Sequence, residues 1–293
     1  MKNFKYIIIL LFLTSALHSN IKNEYYFGIT IYKFDEVYQN KVKRIILKTI
    51  NKMSESLDLK INVVFIEKED DLLENFKKYE KYNTMIVFSS FYLENKEEIQ
   101  KISKNPFLFN NSSNKNTQYY LIASKKSKIK SIKDLKNKSF ASLTIDDNYG
   151  TWVDYLIRKE LNTSSKNVIK SEKRVNKNEK LLLNVYFNNV DFTAVSKVVY
   201  DDMVLLNPSI KKNLVIIEKS EPIFFFGLGI FHKDTPQRLT DAFQKAVDTD
   251  EFNKNFGDLY KMLNLYGVQK TSFEDLKPLD DFYSEYLKLK MRK

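Results

Sequence analysis

The chain has 293 residues, 43% of them hydrophobic, and no cysteine, so it must be stabilised by apolar cores alone; disulfides, thiol chemistry and cysteine metal sites are excluded. A formal charge of +11 invites a nucleic-acid reading. The basic residues, however, are spread along the chain and not gathered into a stripe, which argues against such a partner.

The first residues, MKNFKYIIILLFLTSALHSN, set Lys2 and Lys5 before an apolar run from Ile7 to Leu13 and then small residues, the pattern of a secretory signal. The run is shorter than the ~20 residues of a bilayer span. Ala16 and Ser19 both fit as cleavage sites, Ser19 being favoured; cleavage would leave a periplasmic protein of net charge +9, and without a cysteine it cannot be a lipoprotein.

YYFGITIYKF alternates and is β-branched, a first strand. VYQNKVKRIILKTINKMSESL carries Val42, Ile45, Ile46, Ile50 and Met53 at helical spacing. INVVFIE, DDLLENFKKYEKY and NTMIVFSS then read strand, helix, strand, with Ser89 and Ser90 as a polar turn ahead of a helix in ENKEEIQKI. A second round follows the loop NNSSNKNTQ: the strand YYLIASKK, a short helix in SIKDLKNK, the strand SFASLTI, the helix WVDYLIRKEL, a helix around NEKLLLNVYFNN and the strand VDFTAVS. NLVIIEKS and EPIFFFGLGIFHKD are strands, and the chain is helical from Pro236 to its end.

Two β-α-β rounds, joined by a strand leaving near residue 120 and one returning near residue 225, predict an α/β protein of two lobes with two crossover strands and a ligand cleft between them. Residues 20–118 with 228–293 form the first lobe in this reading and 119–227 the second, after a signal at 1–19. Closure is expected to hinge at the crossovers, near Tyr119–Ala123 and Phe224–Gly229.

The segments SIKDLKNKSFASLTIDDNYGTWVDYLIRKEL, VDFTAVSKVVYDDMVLLNPSIKKNLVIIEKSEPI and NTMIVFSSFYL resemble those of type II periplasmic solute-binding proteins, specifically the phosphate/phosphonate-binding (PhnD/SsuA/transferrin-like) family of ABC transporters. The resemblance runs in order along nearly all of the mature chain. It implies capture of a small phosphate- or phosphonate-like solute for an ABC permease in the inner membrane, by a monomer. The same cleft would serve a sensory subunit that docks on a histidine kinase or chemoreceptor. Two departures stand out. Asp146, Asp147 and Asn148 occupy a turn that is Ser/Thr-rich in the family, and Ser196 then Lys197 stand where aminophosphonate binders carry an acid.

The candidate ligand residues sit at strand ends. Asn148, Tyr149, Gly150 and Thr151 open a helix whose amides suit an anion, although Asp147 or Asn148 as a plain helix cap explains the same residues. Ser89 and Ser90 offer hydroxyls, with Tyr92 as an aromatic wall; a cap and a core ring are the alternative. Tyr32 and Lys33 follow the first strand, and Ser196, Lys197 and Tyr200 begin the helix after VDFTAV. Asp191, ahead of its strand, reads as structural, and Trp152 as a buried helix residue.

No enzyme is expected and no cofactor. Only His232 lies beyond the leader among the histidines, and GxSxG, GxxxxGK[ST] and GxGxxG are all missing from the sequence.

Overall fold

The computed structural model describes residues 24–57, 60–68, 72–110, 116–145, 148–263 and 265–292. The expected signal, and Asp146 and Asp147 of the helix-opening turn, lie outside the described residues. In chain order the strands are β1 (Tyr25–Thr30), β2 (Ile61–Ile66), β3 (Thr84–Phe88), β4 (Ser103–Asn110), β5 (Tyr119–Ser124), β6 (Ser139–Leu143), β7 (Ser171–Val175), β8 (Phe192–Ser196), β9 (Leu214–Lys219), β10 (Gly227–His232) and β11 (Gly267–Lys270). The helices are α1 (Glu36–Leu57), α2 (Leu72–Lys77), α3 (Ser89–Ile102), α4 (Asn148–Leu161), α5 (Ser165–Val168), α6 (Asn178–Tyr186), α7 (Lys197–Leu206), α8 (Ser209–Asn213), α9 (Gln237–Val247), α10 (Asp250–Leu263) and α11 (Lys277–Met291).

The chain divides into two compact units, one running to Phe109 and resuming over Gly227–Phe273, the other made of Asn110–Phe226 and Glu274–Lys293. Each has its own sheet, with strand order β11-β4-β10-β3-β1-β2 in the first and β7-β6-β8-β5-β9 in the second. Both sheets follow one plan. The first strand of a parallel trio lies between the second and third (β1 between β2 and β3, β6 between β7 and β8), and an antiparallel strand flanks the third. That antiparallel place is taken by β10 in the first unit and by β5 in the second, the strands expected at the crossovers.

In the first unit the apolar stripe of α9 packs against the sheet through Phe243. Its ring lies 4.8 Å from Phe107, 5.4 Å from Phe231 and 5.7 Å from Phe27. Burying a side chain of this size is worth about 1.5–3 kcal/mol. In the second unit Tyr119 of β5 stacks on Phe224 at 4.0 Å, with Trp152 of α4 edge-on at 6.1 Å, so the lone tryptophan is a core residue.

Three strands escape the sequence pattern for distinct reasons. β4 contains Pro106, which has no N–H, and Asn105 at φ 48, beside a register shift in the pairing with β10. β7 is a sheet edge with Ser171, Glu172, Lys173 and Arg174 all exposed, so it shows no apolar alternation. β11 is a four-residue strand inside a region of helical periodicity.

The expected lobe limits also shift. The first boundary falls at Phe109, ahead of residue 118, and residues 274–293, expected in the first lobe, belong to the second unit. The reason is side-chain chemistry on α11: the Phe282 ring meets Tyr155 at 5.0 Å and Phe224 at 5.3 Å, and the Tyr286 hydroxyl donates to Asp154 Oδ2 at 3.0 Å.

Candidate functional site

In the first unit, strand register brings two expected residues together. Parallel β1 and β3 pair Phe27 with Thr84 and Ile29 with Ile86, and the same offset carried past both carboxyl ends sets Lys33 level with Ser90. There the Lys33 Nζ donates to Ser90 Oγ at 2.8 Å and lies 5.4 Å from the centre of the Phe88 ring. Phe34 N bonding Ile31 O at 3.1 Å closes the turn that delivers Lys33. The edge of the Tyr32 ring meets Phe88 at 6.4 Å.

The expected polar turn at Ser89 and Ser90 is absent; α3 starts at Ser89, and its N-cap, Phe88, has no side chain able to cap the first amides. A lysine ammonium therefore stands beside the amino end of α3, whose helical run breaks at Asn95, and both favour negative charge. The early start also decides Tyr92. Ser89 and Tyr92 are three residues apart on the inward face, and Tyr92 is fully buried with its hydroxyl accepting from Gln100 Nε2 at 2.8 Å. Tyr92 is thus enclosed in the core, not exposed as a wall; Phe88, which sequence reasoning passed over as the last residue of a buried strand, supplies a ring beside Lys33 instead.

In the second unit, α4 starts at Asn148, and Asn148 and Tyr149 are both buried. The Tyr149 hydroxyl accepts from the Ser196 backbone amide at 3.2 Å and bonds Asn178 Oδ1 at 3.3 Å, tying the first turns of α4 and α6 to the end of β8. Its ring lies 4.4 Å from Tyr119. Ser196 is the N-cap of α7, its Oγ accepting from Val199 N at 3.3 Å, so its hydroxyl serves the cap. Asp191 accepts from the Ser139 amide at 2.8 Å and the Ser139 hydroxyl at 2.7 Å, the structural clamp expected of it.

Lys197 gives its backbone amide to Gln118 O at 2.8 Å and its ammonium to Asp201, which holds the lysine pKa above its ordinary value. Tyr200 presents an edge to Tyr120 at 5.7 Å, and burial raises its phenol pKa. Gly150 and Thr151 line a cavity of about 460 Å³ that runs beside α4, together with Asp154, Arg158, Arg174 and Tyr286. A methyl group added at Gly150 would touch nothing within 4 Å. The residues expected in one turn thus part company: Asn148 and Tyr149 turn inward, while Gly150 and Thr151 open onto that cavity.

Asp154 on the same helix is structural. Burial pushes its carboxyl up, but bonds from Ser165 N, Arg158 Nε and Tyr286 Oη outweigh this and hold its pKa below the usual carboxylate value. Among the described residues no group of three or more histidine or acidic side chains is placed to hold a metal ion, and no helix is long and apolar enough to cross a membrane.

Residues 36–275 match the family described as the periplasmic substrate-binding protein of phosphonate ABC transporters. The chain belongs to that family. No curated protein sequence matches it. Among solved structures, a binding protein component of an ABC phosphonate transporter from Pseudomonas aeruginosa superposes with a TM-score of 0.59 at 17% identity, over 92% of this chain and 88% of that one. PhnD1 from Prochlorococcus marinus, in complex with methylphosphonate, gives 0.58 at 14% identity, over 89% and 98%. A Xanthomonas citri protein bound to ATP gives 0.60 at 11%, over 92% and 98%. The fold is the type II periplasmic-binding-protein fold, and family members are substrate-binding components of transport, not enzymes.

Proposed function

We propose that this family member captures a phosphonate or phosphate anion in the periplasm, as a monomer exported by the signal at residues 1–19, and delivers it to the permease of an ABC importer. The observation that carries the anion reading is the Lys33 ammonium, fixed by Ser90 Oγ at 2.8 Å beside the start of α3, where the N-cap Phe88 makes no side-chain cap bond. A cation held next to a helix amino end gives an oxyanion charge-assisted bonds without further rearrangement. In the second unit the matching candidates are Gly150, Thr151, Lys197 and Tyr200, at or beside the first turns of α4 and α7. Tyr149 and Ser196 support those turns through their own bonds.

Calorimetric titration of the mature protein tests this. Methylphosphonate should bind, and Lys33→Met should weaken it by about tenfold or more, since a hydrogen bond to a charged group contributes about 1.5–3 kcal/mol. Binding of small cationic amines with no response to methylphosphonate or phosphate would overturn the proposal.

A further inference from the structure

Thr117 is 3% exposed, and among the described residues no group bonds its Oγ1. Leaving a buried hydroxyl unbonded costs more than making its bond gains, the more so in apolar surroundings. Thr117 forms an isolated antiparallel bridge with Phe224, through amide-to-carbonyl bonds of 2.7 and 3.2 Å. Residues paired across such a bridge direct their side chains to the same face, and so do residues two apart along a strand. Thr117, Phe224 and Tyr119 therefore share one face, as the 4.0 Å stack of the Phe224 and Tyr119 rings requires.

That face carries the beginning of α4, because Tyr119 also lies 4.4 Å from Tyr149. Along the strand, Gln118 O takes the Lys197 amide, so Thr117 stands just past the carboxyl end of β8, where α7 begins. An enclosed, unbonded hydroxyl thus sits one step beyond the aromatic contact between β5 and the amino end of a 14-residue helix.

We infer that the Thr117 hydroxyl is a ligand donor, directed at an oxygen of a phosphonate- or phosphate-class anion near the first turn of α4. The inference rests on the anion reading proposed above and adds a residue to it. Thr117 is the penultimate residue of the polar stretch NNSSNKNTQ and has no sequence signal of its own.

The test uses the mature protein, with methylphosphonate and inorganic phosphate as separate titrants. Thr117→Val keeps the side-chain shape and removes the hydroxyl; Thr117→Ser keeps the hydroxyl. Val should weaken binding of the anion that wild type takes up by about tenfold, equivalent to about 1.4 kcal/mol, while Ser stays within about threefold. The melting temperature of the anion-free Val variant should equal or exceed that of wild type. Unchanged affinity in Val overturns the inference alone, as does a melting temperature lower by several degrees, which would mean the hydroxyl has a structural bond. If wild type binds neither titrant, the anion reading and this donor fall together.

Discussion

The Tyr149 phenol oxygen accepts the backbone hydrogen of Ser196 at 3.2 Å, at a level of the sheet that β6 no longer reaches, having ended at Leu143. The next amide, Lys197 N, turns the other way, to Gln118 O beside β5, so Ser196 N faces the side that β6 has vacated. A side chain from α4 thus takes over one position of the β-ladder. Tyr149→Phe should lower stability by about 1–3 kcal/mol, the cost of stranding a buried donor. Urea unfolding would show this as a lower midpoint with an unchanged slope; a loss below about 0.5 kcal/mol would mean the amide finds another acceptor.

Gly229 lies where β10 crosses the Phe107 ring. A methyl group there would stand 2.0 Å from the nearest ring carbon, and the neighbouring register shift leaves Phe107 directly opposite. Gly229→Ala should cost at least about 1–3 kcal/mol through overpacking. Phe107→Leu in the same chain should recover part of that loss, so the double variant should be more stable than the sum of the single effects predicts. Simple additivity in chemical unfolding would refute the steric account.

His232 is enclosed by Phe76 at 5.3 Å and Tyr79 at 4.8 Å, and its Nδ1 accepts from the Asp234 amide at 3.2 Å. Burial lowers its pKa; the Asp234 carboxylate opposes this, and Lys233 and Lys104 reinforce it. With a folded pKa below the unfolded value of about 6.5, the unfolded chain takes up the proton first. The stability from neutral His232 is therefore fully present above about pH 6.5 and lost as pH falls towards the folded pKa. Melting temperatures measured from pH 7.5 down to 5 should decline, and His232→Phe should flatten that part of the decline. An equal slope in the variant would assign the effect to other groups.

Asp154 fastens α11 to the second unit through Tyr286, while also holding Arg158 Nε at 2.6 Å and the Ser165 amide at 2.6 Å. Asp154→Ala removes three bonds and leaves Arg158 without its carboxylate, a change expected to cost roughly 3 kcal/mol. Tyr286→Phe removes one bond and should cost about 1 kcal/mol. Limited proteolysis should cut within residues 277–291 faster in both, and faster in the first. Equal resistance in wild type and Asp154→Ala would show that the ring contacts of Phe282 alone retain the helix.

The period of the apolar residues and the order of the elements were enough to identify the α/β class, the parallel trio of the first unit and the two crossover strands, because a half-buried strand or helix must repeat its apolar residues at the spacing of its own geometry. The resemblance carried by three segments led to the family that residues 36–275 match. Placement of individual side chains was decided only in three dimensions. Tyr92 turned inward because α3 begins three residues before it, and Lys33 met Ser90 because two strands 57 residues apart share a register. Residues 274–293 joined the second unit through Phe282 and Tyr286, whose contacts with Tyr155, Phe224 and Asp154 link positions far apart in the chain. Local periodicity states that a face is apolar or polar; which distant face completes it depends on packing and hydrogen bonding across the fold, and no neighbouring residue encodes that.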